Sequence, residues 1–138
     1  MNHWQVGDSR SFTKTITETD VVMFAGISGD MNPLHTNAEY AARTRFGQRI
    51  AHGAILQAYI SNVIGNQLPG DGAIYLSSSV RFQKPSLIGD TVRTTCTIKH
   101  IRQDKAIFTL ECTCTNQREE VVLSGESVIL YEPLKLSL

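Results

Sequence analysis

The densest run of reactive side chains is Ser28-Gly29-Asp30-Met31-Asn32-Pro33-Leu34-His35, where a carboxylate and an imidazole stand five residues apart. Pro33 fixes one backbone torsion and Asn32 can bond back to the neighbouring main chain, so the loop between them is constrained. Such a loop can aim Asp30 and His35 at one point. Two groups of different acidity aimed at one water can take a proton as it attacks carbon and return one to the adjacent carbon. That is the chemistry of adding water across a polarised double bond, or of removing it. Each residue also has a plainer reading: Asp30 as a cap or turn residue after a helix, His35 as a structural or exposed histidine.

The elements that must hold this loop lie on both sides of it. Thr17 reads as a helix cap, with Asp20 three residues on and acids at the positive end of the dipole. Val21, Phe24 and Ile27, with Val22 and Ala25, then recur at helical spacing. Gly29 permits a left-handed stop, and Pro33 disfavours helix at Asn32. Asn37 can cap a short helix from Ala38 to Arg43. The run from Ile50 to Ile64 is apolar nearly all round, the pattern of a buried helix. Its exceptions, Gly53, Gln57 and Ser61, fall four apart and share one face.

After the turn Pro69-Gly70-Asp71-Gly72 the period changes to two. Ile74, Leu76, Val80 and Phe82 alternate with polar neighbours and Tyr75. Ala106, Phe108, Leu110, Cys112 and Cys114 do so again, and 91–101 and 121–131 are strand-like, the inner face of the last being ambiguous. A further strand is expected around Ser11 to Ile16. Short connections imply antiparallel pairing. The expected fold is α+β: about five antiparallel strands curled around one long central helix, in a single domain over 1–138.

Composition narrows the function. The 138 residues suit one core, and thirteen basic residues balance thirteen acidic ones, so nothing electrostatic argues for nucleic acid. Met1 to Thr15 carries no apolar leader core and no stretch reaches the length of a membrane span, so no membrane partner and a cytoplasmic setting are expected. The three cysteines, Cys96, Cys112 and Cys114, form no disulfide framework, and with no second cluster they read as small buried hydrophobes rather than metal ligands.

The motif from Ser28 to His35 resembles the hydratase motif of the MaoC-like family, most nearly its (R)-specific enoyl-CoA hydratases. The resemblance extends along most of the chain. Ile50-Ala51-His52-Gly53 is similar to the start of that family's central helix. Leu68-Pro69-Gly70 with Ile74-Tyr75-Leu76 is similar to the approach to its next strand. Arg81-Phe82-Gln83-Lys84-Pro85 with Ile88-Gly89-Asp90-Thr91-Val92 is similar to its F-x-x-P and G-D segment.

The resemblance implies a hot-dog fold wrapped around the helix from Ala54 to Gly65, and reversible hydration of a trans-2-enoyl-CoA to the (R)-3-hydroxyacyl-CoA. It implies an acyl-CoA thioester as substrate, a homodimer, and neither metal nor cofactor. Asp30 and His35 correspond to the catalytic pair gripping one water, Asn32 to a loop-shaping position, and Gly53 to a backbone N–H that binds the thioester oxygen. An unpaired N–H at a helix start, backed by the dipole, suits that oxygen's developing charge; Gly53 alternatively just permits close packing. Ser61 lies about 12 Å further along the helix; it is expected to orient the loop or line the acyl tunnel, or else bonds back to a carbonyl. Tyr59, Val63 and Ile64 are bulky and are expected to wall the tunnel, favouring short acyl chains. His52 reads as structural, because helical spacing turns it about 100° off the Gly53 face. Arg43, Arg45, Arg49, Arg81, Lys84, Arg102 and Lys105 are the candidates for CoA phosphates. Two rival functions are a hot-dog thioesterase, which cleaves the thioester, and a non-catalytic acyl-thioester binding domain.

Overall fold

The computed structural model describes residues 4–132, so His3 lies outside it. Strand β1 (Ser9–Thr15) leads into helix α1 (Glu18–Ser28), then α2 (Pro33–Thr36) and α3 (Ala38–Ala42). The long helix α4 (Ala54–Asn66) precedes β2 (Ala73–Phe82), β3 (Thr91–Arg102), β4 (Ile107–Thr115) and β5 (Val121–Tyr131). The five strands form one sheet in the order β1-β3-β4-β5-β2, and every pairing is antiparallel. Helix α4 lies on one face of it. This is the α+β arrangement expected, with the sheet around the central helix.

The core forms where α4 meets the sheet. Leu56, Ile60, Val63 and Ile64 are buried against Val92, Cys96, Ile98, Leu110, Cys112, Leu123 and Ile129. Each fully buried aliphatic side chain contributes about 1.5–3 kcal/mol, which ties α4 rigidly to the sheet. In β4 the residues Phe108, Leu110, Cys112 and Cys114 all face inward, as their alternation predicts. The three cysteines are free thiols. The inner face of β5 was ambiguous because its pairing slips between Cys114 and Thr115, so Val122 and Leu123 are both buried.

Caps set the loops as the residue types dictate. Thr17 accepts from the Asp20 N–H while Asp20 accepts from the Thr17 N–H, a full capping box. Gly29 ends α1 at φ 78°, and Asn37 caps α3 through the Tyr40 N–H.

The structure corrects three readings. Residues 50–53 do not belong to the central helix. They form a strap, held where Ile50 bridges Leu87 and the Ala51 N–H donates to the Ser86 carbonyl at 2.7 Å. Nor is α4 buried all round: Ala54, Ala58, Ser61 and Gly65 share an exposed face. On α1 the buried stripe is Val21 and Ala25, with Phe24 half-buried, while Val22 and Ile27 face outward, because that helix meets the rest of the chain along one narrow line. Among the described residues no helix is long and apolar enough to cross a membrane.

Candidate active site

Asp30 follows the left-handed Gly29, and its carboxylate is fixed by local geometry. Its Oδ1 accepts the Asn32 N–H at 3.1 Å, and its own N–H donates to Ser28 Oγ at 3.1 Å. Asn32 in turn caps α2, accepting the Leu34 N–H at 3.0 Å. The segment read as loop is therefore a helical turn at its second half, and that turn swings His35 back beneath Asp30. His35 Nε2 stands 4.0 Å from Asp30 Oδ2. His35 is buried while the Asp30 side chain is 49% exposed, so the pair sits at the edge of the interior.

The ring of His35 is oriented from the other side. Its Nδ1 lies 2.7 Å from the Ile50 carbonyl. A carbonyl only accepts, so Nδ1 carries a proton and donates it there, which leaves Nε2 facing Asp30. Arg49 secures the same segment: its Nε donates to the His35 carbonyl at 2.7 Å, and both terminal nitrogens pair with Glu18 on α1. A water about 2.8 Å from each of two acceptors 4.0 Å apart would subtend an angle of about 90° at its oxygen. That is close to water's own geometry, so both its hydrogens can be held while its lone pairs stay free.

His35 forms one wall of a cavity of about 550 Å³. Gly53, Leu56, Gln57 and Phe82 line it further in, and Arg45 and Lys84 stand among its lining residues. Gly53 has φ −57° and ψ −35°, a conformation open to any residue, so its backbone does not demand glycine. The Phe82 ring favours it: a Cβ on Gly53 would lie 2.9 Å from Phe82 Cε1, so the ring would have to shift. Among the described residues the Gly53 N–H donates to no backbone acceptor, and it begins α4 with the dipole behind it.

His52, read as structural, packs directly on the pair. The helical angle used to set it aside does not apply, because residue 52 precedes the helix. Its ring stacks on His35 at 4.0 Å and its Nε2 bonds the Asp30 carbonyl at 2.9 Å. Asp30, His35 and His52 bring ligand-type atoms within 4.8 Å of one another. His52 Nε2 is already committed to the Asp30 carbonyl.

Other expected residues fall elsewhere. Ser61 is exposed on α4, on the face it shares with Ala58. Tyr59, Val63 and Ile64 lie in the core and do not line this cavity. Burial pushes the Tyr59 hydroxyl up to about 12, and that hydroxyl is buried with no hydrogen-bond partner among the described residues. Of the seven phosphate candidates only Arg45 and Lys84 reach the cavity. Lys84 pairs with Glu120, Arg102 with Asp104, and Arg49 with Glu18.

A hot-dog sheet and helix with a carboxylate and an imidazole 4.0 Å apart beside an apolar pocket fits a water-adding or water-removing thioester enzyme. Residues 3–120 match the MaoC-like domain, and the chain belongs to that family. It is 45% identical to an (R)-specific enoyl-CoA hydratase of Rhodospirillum rubrum, over 90% of this chain and 85% of that protein. It is 42% identical to a 3-hydroxybutyryl-CoA dehydratase of Methylorubrum extorquens, over 91% of this chain and 79% of that one. Among solved structures, the (R)-hydratase of A. caviae superposes with a TM-score of 0.90 at 36% identity, covering 94% of this chain and 98% of the other.

Proposed function

We infer that this protein is a hydro-lyase that hydrates trans-2-enoyl-CoA to (R)-3-hydroxyacyl-CoA and catalyses the reverse dehydration. The observation that carries this reading is the 4.0 Å gap between His35 Nε2 and Asp30 Oδ2, with His35 Nδ1 tied to a carbonyl, at the wall of a cavity that also contains Gly53. The pair grips one water. As its oxygen bonds to the β-carbon, one proton passes to the pair and the other stays as the new hydroxyl. Charge gathers on the thioester oxygen, which the Gly53 N–H receives; donors of this kind are worth about 3–4 kcal/mol of activation. The pair then returns its proton to the α-carbon on the same face. Water and enoyl thioester are thereby consumed with no electron transferred, so the chemistry calls for no redox cofactor.

Asn32 shapes the loop as the cap of α2, and its role is indirect. The carrier's phosphates would meet Arg45, which lies over the Phe46 ring at 4.8 Å, at the cavity rim. A cytoplasmic setting accords with three cysteines that remain thiols.

A homodimer accords with two surfaces of the chain. Among the described residues strand β2 has no neighbour on its outer side, and Ile74, Leu76 and Phe82 on it are about half exposed. The exposed face of α4 carries only small residues, which permits close approach of a second helix. An unpaired apolar edge is a liability unless a partner covers it.

The test uses crotonyl-CoA and two variants. Asp30→Asn and His35→Ala should each lower kcat by about 10²–10⁴ in folded protein, with loss of enoyl absorbance as the readout. Release of free thiol without hydration would instead mark a thioesterase, and the absence of both would mark a binding domain. Chiral analysis should give the (R) product with deuterium added syn; the (S) product or anti addition would refute the single-water mechanism.

A further inference from the structure

Resting on the reading of Asp30 and His35 as the reacting pair, we propose that His52 is a positioning residue for that pair: its Nε2–H holds the Asp30 main chain in place while its ring supports His35. The restraints on Asp30 divide into two kinds. The bonds to Ser28 Oγ and from the Asn32 N–H span two residues each, so they travel with the loop and shape it without locating it. Among the described residues, only the His52 bond to the Asp30 carbonyl comes from a distant segment, 22 residues away. A carboxylate half open to solvent needs such an anchor if Oδ2 is to remain at a fixed distance from His35.

The segment that provides the anchor also grips His35. Arg49 holds the His35 carbonyl, Ile50 accepts from His35 Nδ1, and His52 both stacks on the His35 ring and holds Asp30. Four consecutive residues, 49–52, thus act as a template against which both halves of the pair are set. That strap is fastened to the sheet side by Ala51 and Ile50, through Ser86 and Leu87.

The environment of His52 supports the assignment. The ring is 2% exposed and lies between His35 and Phe24, whose ring centroid is 4.9 Å away. Its Nε2 faces an acceptor, so Nε2 bears the proton and Nδ1 is left as a buried lone pair with no partner. A phenyl or aliphatic group would fill this slot without an orphaned nitrogen. What the imidazole adds is one donor, and that donor goes to the residue carrying the carboxylate.

Substitutions can separate the donor from the ring. His52→Phe keeps an aromatic surface on His35 and removes the donor. His52→Gln places an amide N–H near the position of Nε2 and removes the stack. Thermal melting checks the fold, and kcat and KM are measured on crotonyl-CoA for these, for Asp30→Asn, and for Asp30→Asn/His52→Phe. We expect His52→Phe to fold, to lose kcat about 10–100-fold and to keep KM within about twofold, in line with the cost of misplacing a reacting group by up to an ångström. His52→Gln should recover to within about threefold of the wild type. The double variant should be no slower than Asp30→Asn, since His52 acts through Asp30. If His52→Phe does not fold, His52→Leu carries the same comparison. Near-normal kcat in the donor-less variant, equal impairment in Phe and Gln, or losses that add in the double variant would overturn the proposal. Near-normal activity of Asp30→Asn alone would instead overturn the reading on which it rests.

Discussion

Gly53 offers a way to weigh a single backbone N–H. In Gly53→Ala the new Cβ would stand 2.9 Å from Phe82 Cε1, 3.0 Å from Cδ1 and 3.4 Å from Cζ. Carbon atoms rest comfortably about 3.5–4.0 Å apart, so the ring must retreat by about 0.5–1 Å. The displaced ring lines the cavity, so the cost falls on the pocket wall. At about 10²-fold per ångström of misplacement as an upper figure, Gly53→Ala should lose about tenfold in kcat/KM. Gly53→Pro also carries a Cβ, removes the N–H, and closes a ring whose Cδ sits on that nitrogen and restricts His52 before it. Its fixed φ near −65° suits the observed −57°, and no backbone acceptor loses a partner. The proline variant should therefore fall a further 10²–10³-fold below the alanine variant in kcat, about 2.7–4 kcal/mol. Crotonyl-CoA hydration at saturating substrate, alongside circular dichroism to check α4, gives the comparison. Equal activity of the folded proline and alanine variants would remove Gly53 from the oxyanion role.

Light scattering should give twice the chain mass, and Leu76→Lys on β2 should shift it toward one; a stable wild-type monomer at working concentration would refute the pairing. Substrates with acyl chains of about four to six carbons should be preferred, each unaccommodated methylene forfeiting ~0.8 kcal/mol of burial; because Tyr59, Val63 and Ile64 do not line the cavity and Leu56 does, Leu56→Ala should raise activity on an eight-carbon substrate relative to crotonyl-CoA. A wild type that already favours long chains, or no shift in Leu56→Ala, would sink that expectation. Acid should weaken the fold through Asp90. Burial alone would raise its carboxyl, but the Leu87 N–H, Gln117 and Arg118 outweigh burial and hold it below the ordinary 3.8. A depressed folded value means that its contribution is present above the unfolded value and is lost as pH falls through the folded one. Thermal midpoints should therefore hold above about pH 5 and drop below about pH 4, and Asp90→Asn should flatten that drop; an unchanged pH dependence in the variant would show that other groups govern it.

The fold was legible wherever residue pattern and neighbourhood agreed. Phe108 through Cys114 alternate and bury as they alternate, and Thr17, Gly29 and Asn37 cap as their side chains dictate. The expectation failed where tertiary bonds overrode local pattern. Nothing in Ile50-Ala51-His52 taken alone says that a strand-like bridge to Leu87 will keep it out of the helix. Likewise the bulge opposite Thr115 makes Val122 and Leu123 both inward, which no period of two can express. At the site, the spacing of Asp30 and His35 was visible, but the residues that set their separation were not. Arg49 and His52 act from a segment whose closeness to the loop is a product of the fold.

The order of the strands also governs how the chain can assemble itself. Strand β2 is made early, directly after α4, yet its partner in the sheet is β5, the last strand of all. Until β5 is available, β2 has no neighbour on either side, and its apolar residues are open to whatever they meet. Closing so long a loop is entropically slow, and sequence-distant pairings of this kind lower the folding rate. The half-made chain is therefore its most aggregation-prone form. A side chain at Gly125, where a Cβ would lie 2.1 Å from the Ser79 carbonyl oxygen and 2.8 Å from Val80 Cα, would force β2 and β5 apart and so cost both yield during synthesis and stability of the finished sheet.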